Sequence, residues 1–234
     1  TNADHMLTLA ASVPSKVLRK HNQLYQYEAL LFGASGLLNV DFEDEYPRKL
    51  KKEYLFLKDK YNIQERIGYN QWNFSGVRPP NFPTIRIAQF AALLFKFQNL
   101  FSLFTEFSDA QTLIDQLYIQ QSEYWIDHLV IDKQSQMTVG PMTKAAKTNL
   151  LINTTAPLLV TFSQQQDKAE YLDKAMNLLM ALPKETNSIT KSWAELGWNV
   201  SSAFDSQGLI ELHNDFCKNK RCISCSIGAE LVKR

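Results

Sequence analysis

The stretch DKAEYLDKAMNLLMAL, residues 167–182, decides the fold class. Ala169, Leu172, Ala175, Met176, Leu179 and Met180 recur at three- and four-residue spacing with charged residues between them. That period puts them on one side of an α-helix and does not fit strand alternation. Pro183 ends the pattern.

The same period extends in both directions. Downstream, residues 186–196 predict a helix stopped by Gly197. Ser201 or Ser202 then starts a helix to about Phe216, with Phe204, Gly208, Leu209, Leu212 and Phe216 on one face. Asp205, Ser206 and Gln207 belong to that helix N-terminus, and residues 226–232 add a short last helix. Upstream, residues 142–162 predict a helix with Pro157 inside it. Proline should kink it and free the carbonyl of Asn153, with Asn153, Thr154 and Thr155 satisfying the disturbed backbone. Residues 108–121 read as a helix capped by Ser108, with 123–130 as a short continuation. A polar stretch, 131–141, reads as a loop or small hairpin.

The N-terminal part opens with a loop to Pro14, then a helix over 15–32 ended by Gly33 and Gly36. Residues 46–61 form a charged helix containing Arg48, Lys49, Lys51, Lys52, Lys58 and Lys60. Its simplest reading is a solvated face beside Leu50, Tyr54, Leu55 and Leu57; a nucleic-acid surface is the alternative. The run YNQWNFSGVRPPNFP, residues 69–83, is rich in proline and aromatics and predicts an ordered extended loop pinned by Trp72, Phe74 and Phe82. The apolar stretch 85–104 contains Arg86, Gln89, Lys96, Gln98 and Asn99, so it reads as a core helix and not a membrane span. The expectation is an all-α multi-helix globular bundle with at most a minor β-hairpin near 129–141. No repeat or Gly/Ser linker divides it, so 1–234 is read as a single all-helical domain, with 69–83 as the seam if there were two.

A net charge of +1 gives no global attraction to polyanions, so such binding needs a local patch. There is no phosphate loop, dinucleotide fingerprint, nucleophile elbow or His-Glu-x-x-His. His5, His21, His128 and His213 are scattered, and no catalytic residue is assigned. Glu28 lies in an apolar run, so burial would require a partner; Arg78 or Arg86 is expected to provide it as a structural polar pair.

The three cysteines, Cys217, Cys222 and Cys225, lie in HNDFCKNKRCISC, residues 213–225. With His213 one helical turn before Cys217, the four residues have zinc-ligand types. The simpler expectation is no cofactor: packed free thiols, or a disulfide between Cys217 and one of the others. An odd cysteine count without a signal peptide points to a reducing, cytoplasmic setting. Lys218, Lys220 and Arg221, with Lys233 and Arg234, against Glu230, make a candidate nucleic-acid-binding patch.

Four stretches together carry a resemblance: YEALLFGASGLL (27–38), WNFSGVRPPNFPTIRIAQ (72–89), LINTTAP (151–157) and FDSQGLIELHNDFCKNKRCISCSIG (204–228). They resemble a bacterial family, domain-of-unknown-function family 2851, found largely in Bacteroidetes-type bacteria. The resemblance covers nearly the whole chain. Family members are longer and the chain starts at Thr1, so it implies the C-terminal portion of a longer protein. It also implies a strand-rich, nuclease-like N-terminal region as a partner; none of that region's motifs lies in this chain, so no catalytic residue carries over from it. The cysteine run is similar as well to the iron–sulfur loops of helical DNA glycosylases, but its spacing differs and it lacks their fourth cysteine.

Three functions follow as expectations. The first is a non-catalytic accessory domain, nucleic-acid-binding, without membrane contact. The second is a protein-interaction or scaffold domain with structural cysteines. The third is a hydrolytic enzyme with a site around Glu28, Arg78 and Arg86.

Overall fold

A computed structural model describes residues 2–232. In chain order the helices are α1 (Asn2–Ser12), α2 (Ser15–Leu18), α3 (Leu24–Ala34), α4 (Glu45–Tyr61), α5 (Pro83–Lys96), α6 (Leu100–Thr105) and α7 (Ala110–Gln116). They continue as α8 (Tyr124–Asp127), α9 (Lys144–Leu150), α10 (Ala156–Gln166), α11 (Ala169–Ala181), α12 (Ser188–Glu195), α13 (Ala203–Leu212) and α14 (Ser226–Val232). Among the described residues there is no strand. Val130–Lys133 and Pro183–Ser202 are isolated bridges, so the stretch 129–141 is a loop with one bridge. The protein is all-α.

The chain gathers into two compact units. One holds the described residues through Leu100 together with Leu117–Thr143; the other holds Phe101–Gln116 and the described residues from Lys144 onward. The loop 69–83 lies inside the first unit.

In the first unit, α3 is enclosed on all sides: every residue from Tyr27 to Ala34 is buried. A helix apolar around its whole circumference belongs at the centre of a core. α4, α5 and α1 pack on it. Residues 2–12, expected as a loop, are helical because Leu9 buries its side chain in this core. The helix expected over 15–32 is interrupted between α2 and α3, where His21 and Asn22 are poor helix formers. The loop over 69–83 is pinned as expected. Trp72 is buried and its Nε1 donates to the Ser35 carbonyl at 2.9 Å, while Phe74 and Phe82 meet edge-on at 5.3 Å.

In the second unit, α10 and α13 both pack against α11. The buried positions of α11 are Ala175 and Leu178, whereas Leu172 and Met180 are exposed. The helical period holds, but the buried stripe is rotated from the expected one. The chain accommodates Pro157 through a widened turn. Leu151–Thr155 form one π-type turn in which the Ala156 N–H reaches back to the Leu151 carbonyl. Pro157 then falls in the first turn of α10, where a missing N–H costs nothing. Asn153 Nδ2 donates to the Asn149 carbonyl at 3.0 Å; the buried Thr155 hydroxyl has no partner.

Asp109, not Ser108, caps α7: the Thr112 N–H donates to its carboxylate at 2.8 Å. Hydrogen bonds from Thr112 and Ser108 hold that carboxyl at about 2. Ser202 caps α13 as expected, and bonds from Ser201 and Ser202 hold Asp205 at about 2.

Candidate functional site

Glu28 is fully buried. Its Oε2 accepts from the Tyr46 hydroxyl at 2.5 Å and from Trp125 Nε1 at 2.9 Å. Ser122 Oγ lies 2.6 and 2.8 Å from the two carboxylate oxygens and 2.9 Å from the Tyr46 hydroxyl. Burial pushes the Glu28 carboxyl above the usual carboxylate range, and the bonds from Ser122, Tyr46 and Trp125 only partly oppose it. Trp125 in turn stacks on Phe32 at 4.3 Å, fixing α8 against α3.

The expected Glu28–arginine pair does not form. Arg78 is exposed. Arg86 is half-buried and donates to the side-chain carbonyls of Gln89 and Asn81, not to a carboxylate. Three neutral donors already serve Glu28, so it has no need of a cation. Tyr46, Ser122 and Trp125 were beyond sequence reasoning: the latter two lie more than ninety residues from Glu28, with no local spacing to reveal them. A shell of further polar groups covers the hub. Tyr124 donates to Asp44 at 2.7 Å, stacks on Tyr46 at 5.0 Å and on His128 at 4.0 Å. This is an enclosed structural cluster that offers no carboxylate oxygen to a substrate.

The open chemistry of this unit lies on α4. Pro47, Leu50, Tyr54 and Leu57 face the core at helical spacing. The opposite side exposes Arg48, Lys49, Lys52, Leu55, Phe56, Asp59 and Lys60. Leu55 and Phe56 are 51% and 61% exposed, so Leu55 does not join the apolar face expected of it. Some cations are engaged: Lys58 pairs with Glu65 at 2.7 Å, and Lys51 with Asp41 at 3.0 Å. Lys52, Lys60 and Lys20 have no carboxylate partner among the described residues. Lys60 instead lies 5.7 Å from the Phe56 ring centre and 5.3 Å from that of Tyr61, and Lys20 lies 5.2 Å from Tyr61. Lys49 sits 4.1 Å over Tyr25. Burial pushes the His21 imidazole down, with the charges of Lys60 and Lys20 adding to the effect. Arg48, Lys51, Lys52 and Leu55 also line an open groove of about 580 Å³ with Asp41 and Phe42.

In the second unit, α13 runs into a π-type turn, His213–Cys217. His213 and Cys217 stay on one side of this turn and line a shared depression with Ser188, Ser192 and Trp193. Cys217 and Cys222 are exposed, Cys225 is buried, and all three are free thiols. Among the described residues, no three His, Cys, Asp or Glu side chains form a group that could hold a metal. The thiols share the lining of an apolar cavity of 440 Å³ with Trp193, Leu196 and Trp198. Gly228 allows α14 to close on it, since a Cβ there would meet the Cys222 carbonyl oxygen at 2.4 Å. Lys218, Lys220 and Arg221 are exposed on the adjoining turn; Lys233 and Arg234 lie outside the described residues.

The model of a family described as protein of unknown function, DUF2851, matches residues 1–188. The chain belongs to the DUF2851 family. The match contains the stretches at 27–38, 72–89 and 151–157, and leaves out the fourth, 204–228. The α4 face and the Glu28 hub of this DUF2851 chain therefore lie within the matched residues, and the cysteine turn does not. No curated protein and no solved structure matches the chain. Among the described residues no helix is long and apolar enough to cross a membrane.

Proposed function

We propose that this DUF2851 chain is a non-catalytic helical binding domain that engages nucleic acid, as the accessory of a nuclease-like region of the same protein. The observation that carries this reading is the exposed face of α4, where Lys52 and Lys60 lack carboxylate partners beside exposed Leu55 and Phe56. Cations without internal partners can release the counterions of a phosphate backbone, which supplies most non-specific affinity. Lys218, Lys220 and Arg221 offer a second basic surface. The test is fluorescence anisotropy of labelled DNA and RNA across a salt series. Binding should weaken steeply with salt. Lys52→Glu and Lys60→Glu together should flatten the log–log salt slope by at least about 0.7 per lysine for single strands. Absence of binding at low salt refutes the reading.

The second reading, a protein-interaction domain, is favoured by the apolar surface around the thiols, where Leu196 is 74%, Trp198 46% and Leu231 65% exposed. In this reading the cysteines are structural and free. Thiol titration with elemental analysis, on protein purified without chelator, checks their state. Two fast thiols, one slow thiol and no metal are expected. Near-stoichiometric zinc that disappears in Cys222→Ser would instead place a metal on His213, Cys217, Cys222 and Cys225.

A further inference from the structure

We infer that the α4 face takes single-stranded nucleic acid, with Phe56 as a base-stacking platform between Lys52 and Lys60. The inference rests on the nucleic-acid reading above and narrows it. Lys52, Phe56 and Lys60 are spaced four residues apart, so they form one row about 6 Å per step along the helix. Two cations thus flank an aromatic ring that is 61% exposed. Tyr61, the last residue of α4, lies beside this row with Lys20 and Lys60 each about 5 Å from its ring centre. Aromatic faces interleaved with unpaired cations are the arrangement by which proteins hold unstacked bases and their phosphates together.

Two alternatives fit the face less well. A duplex keeps its bases stacked, and reading their edges calls for Asn, Gln or Arg aimed into a groove. The exposed side of α4 has Arg48 but no Asn or Gln, and phenylalanine has nothing to donate to a base edge. An anionic membrane surface would require the apolar stripe of the helix, but Pro47, Leu50, Tyr54 and Leu57 are committed to the core. Asp59 on the same exposed side opposes phosphate there and limits the contact to the row itself. Because phenylalanine stacks on any base, the face should be tolerant of sequence.

The experiment measures anisotropy of a labelled oligothymidylate, the matching duplex, and vesicle co-sedimentation with anionic lipid, all on the full chain. Phe56 is exposed, so Phe56→Ala should fold, which circular dichroism checks. The single strand should bind more tightly than the duplex, and Phe56→Ala should weaken it about tenfold or more at constant salt slope. Phe56→Tyr should retain binding. Equal affinity for strand and duplex, with Phe56→Ala neutral, would overturn this inference and leave the broader nucleic-acid reading standing. No binding to either nucleic acid, or binding to vesicles alone, would overturn both.

Discussion

Glu28→Ala is expected to destabilise the protein by about 3–5 kcal/mol, as the Trp125 N–H loses its acceptor and a cavity opens beside α3. Glu28→Gln should cost far less. A carbonyl oxygen in place of Oε2 still accepts from Tyr46 and Trp125, and the amide nitrogen meets the Ser122 hydroxyl. The two variants also separate charge from shape through pH. The folded protein holds the Glu28 proton more tightly than the unfolded chain does, because burial raises the carboxyl above its ordinary value. The stability this contributes is complete below about pH 4.3 and is lost as pH rises through the folded value. Chemical denaturation of the wild type should therefore show a component of stability that declines on the alkaline side of the ordinary carboxylate range. Glu28→Gln, which has no proton to lose, should lack that component. A wild type and Glu28→Gln with superimposable pH profiles would show that the buried carboxyl does not titrate differently on folding.

Gly33→Ala should destabilise by about 3 kcal/mol or more, even though alanine is the better helix former. A Cβ at Gly33 would stand 2.0 Å from Cγ of Tyr54, and that ring is buried between α3 and α4 with its hydroxyl on Glu65 at 3.1 Å. Neither helix can yield without disturbing the centre of the core. The obstruction is a single ring, so Tyr54→Ala should remove it. In the Tyr54→Ala background, Gly33→Ala should be neutral or stabilising by about 1 kcal/mol. Thermal or denaturant unfolding of the four members of this cycle measures the coupling directly. Additive effects would mean that Tyr54 is not what excludes a side chain at Gly33.

Gly33 also shows how far local reading goes. Read along the chain, it ends a helix beside Gly36. Gly36 does sit beyond α3 with φ of +75°, but Gly33 is inside the helix and is needed for the approach of α4. Nothing within several residues of Gly33 specifies that neighbour. The helix over 167–182 is a parallel case. Its period was plain, yet Leu172 and Met180 lie outside while Leu178 lies inside. Several apolar stripes fit one amphipathic helix, and the choice among them belongs to the surfaces it meets. Leu55 is exposed for the same reason: an apolar residue on a charged helix reads as core unless the core is already filled by Leu50, Tyr54 and Leu57.

What the chain determines by itself is local. Helical periodicity excludes strands, Ser202 caps the helix that it precedes, and proline with aromatics makes 69–83 an ordered, pinned loop. These follow from backbone geometry and from contacts within one or two turns. The tertiary structure alone decided which polar groups meet. Glu28 is served by Tyr46, Ser122 and Trp125, while Arg86 turns to Asn81 and Gln89. Burial of a carboxylate requires donors without specifying which, and the donors are chosen by how α4 and α8 pack around α3.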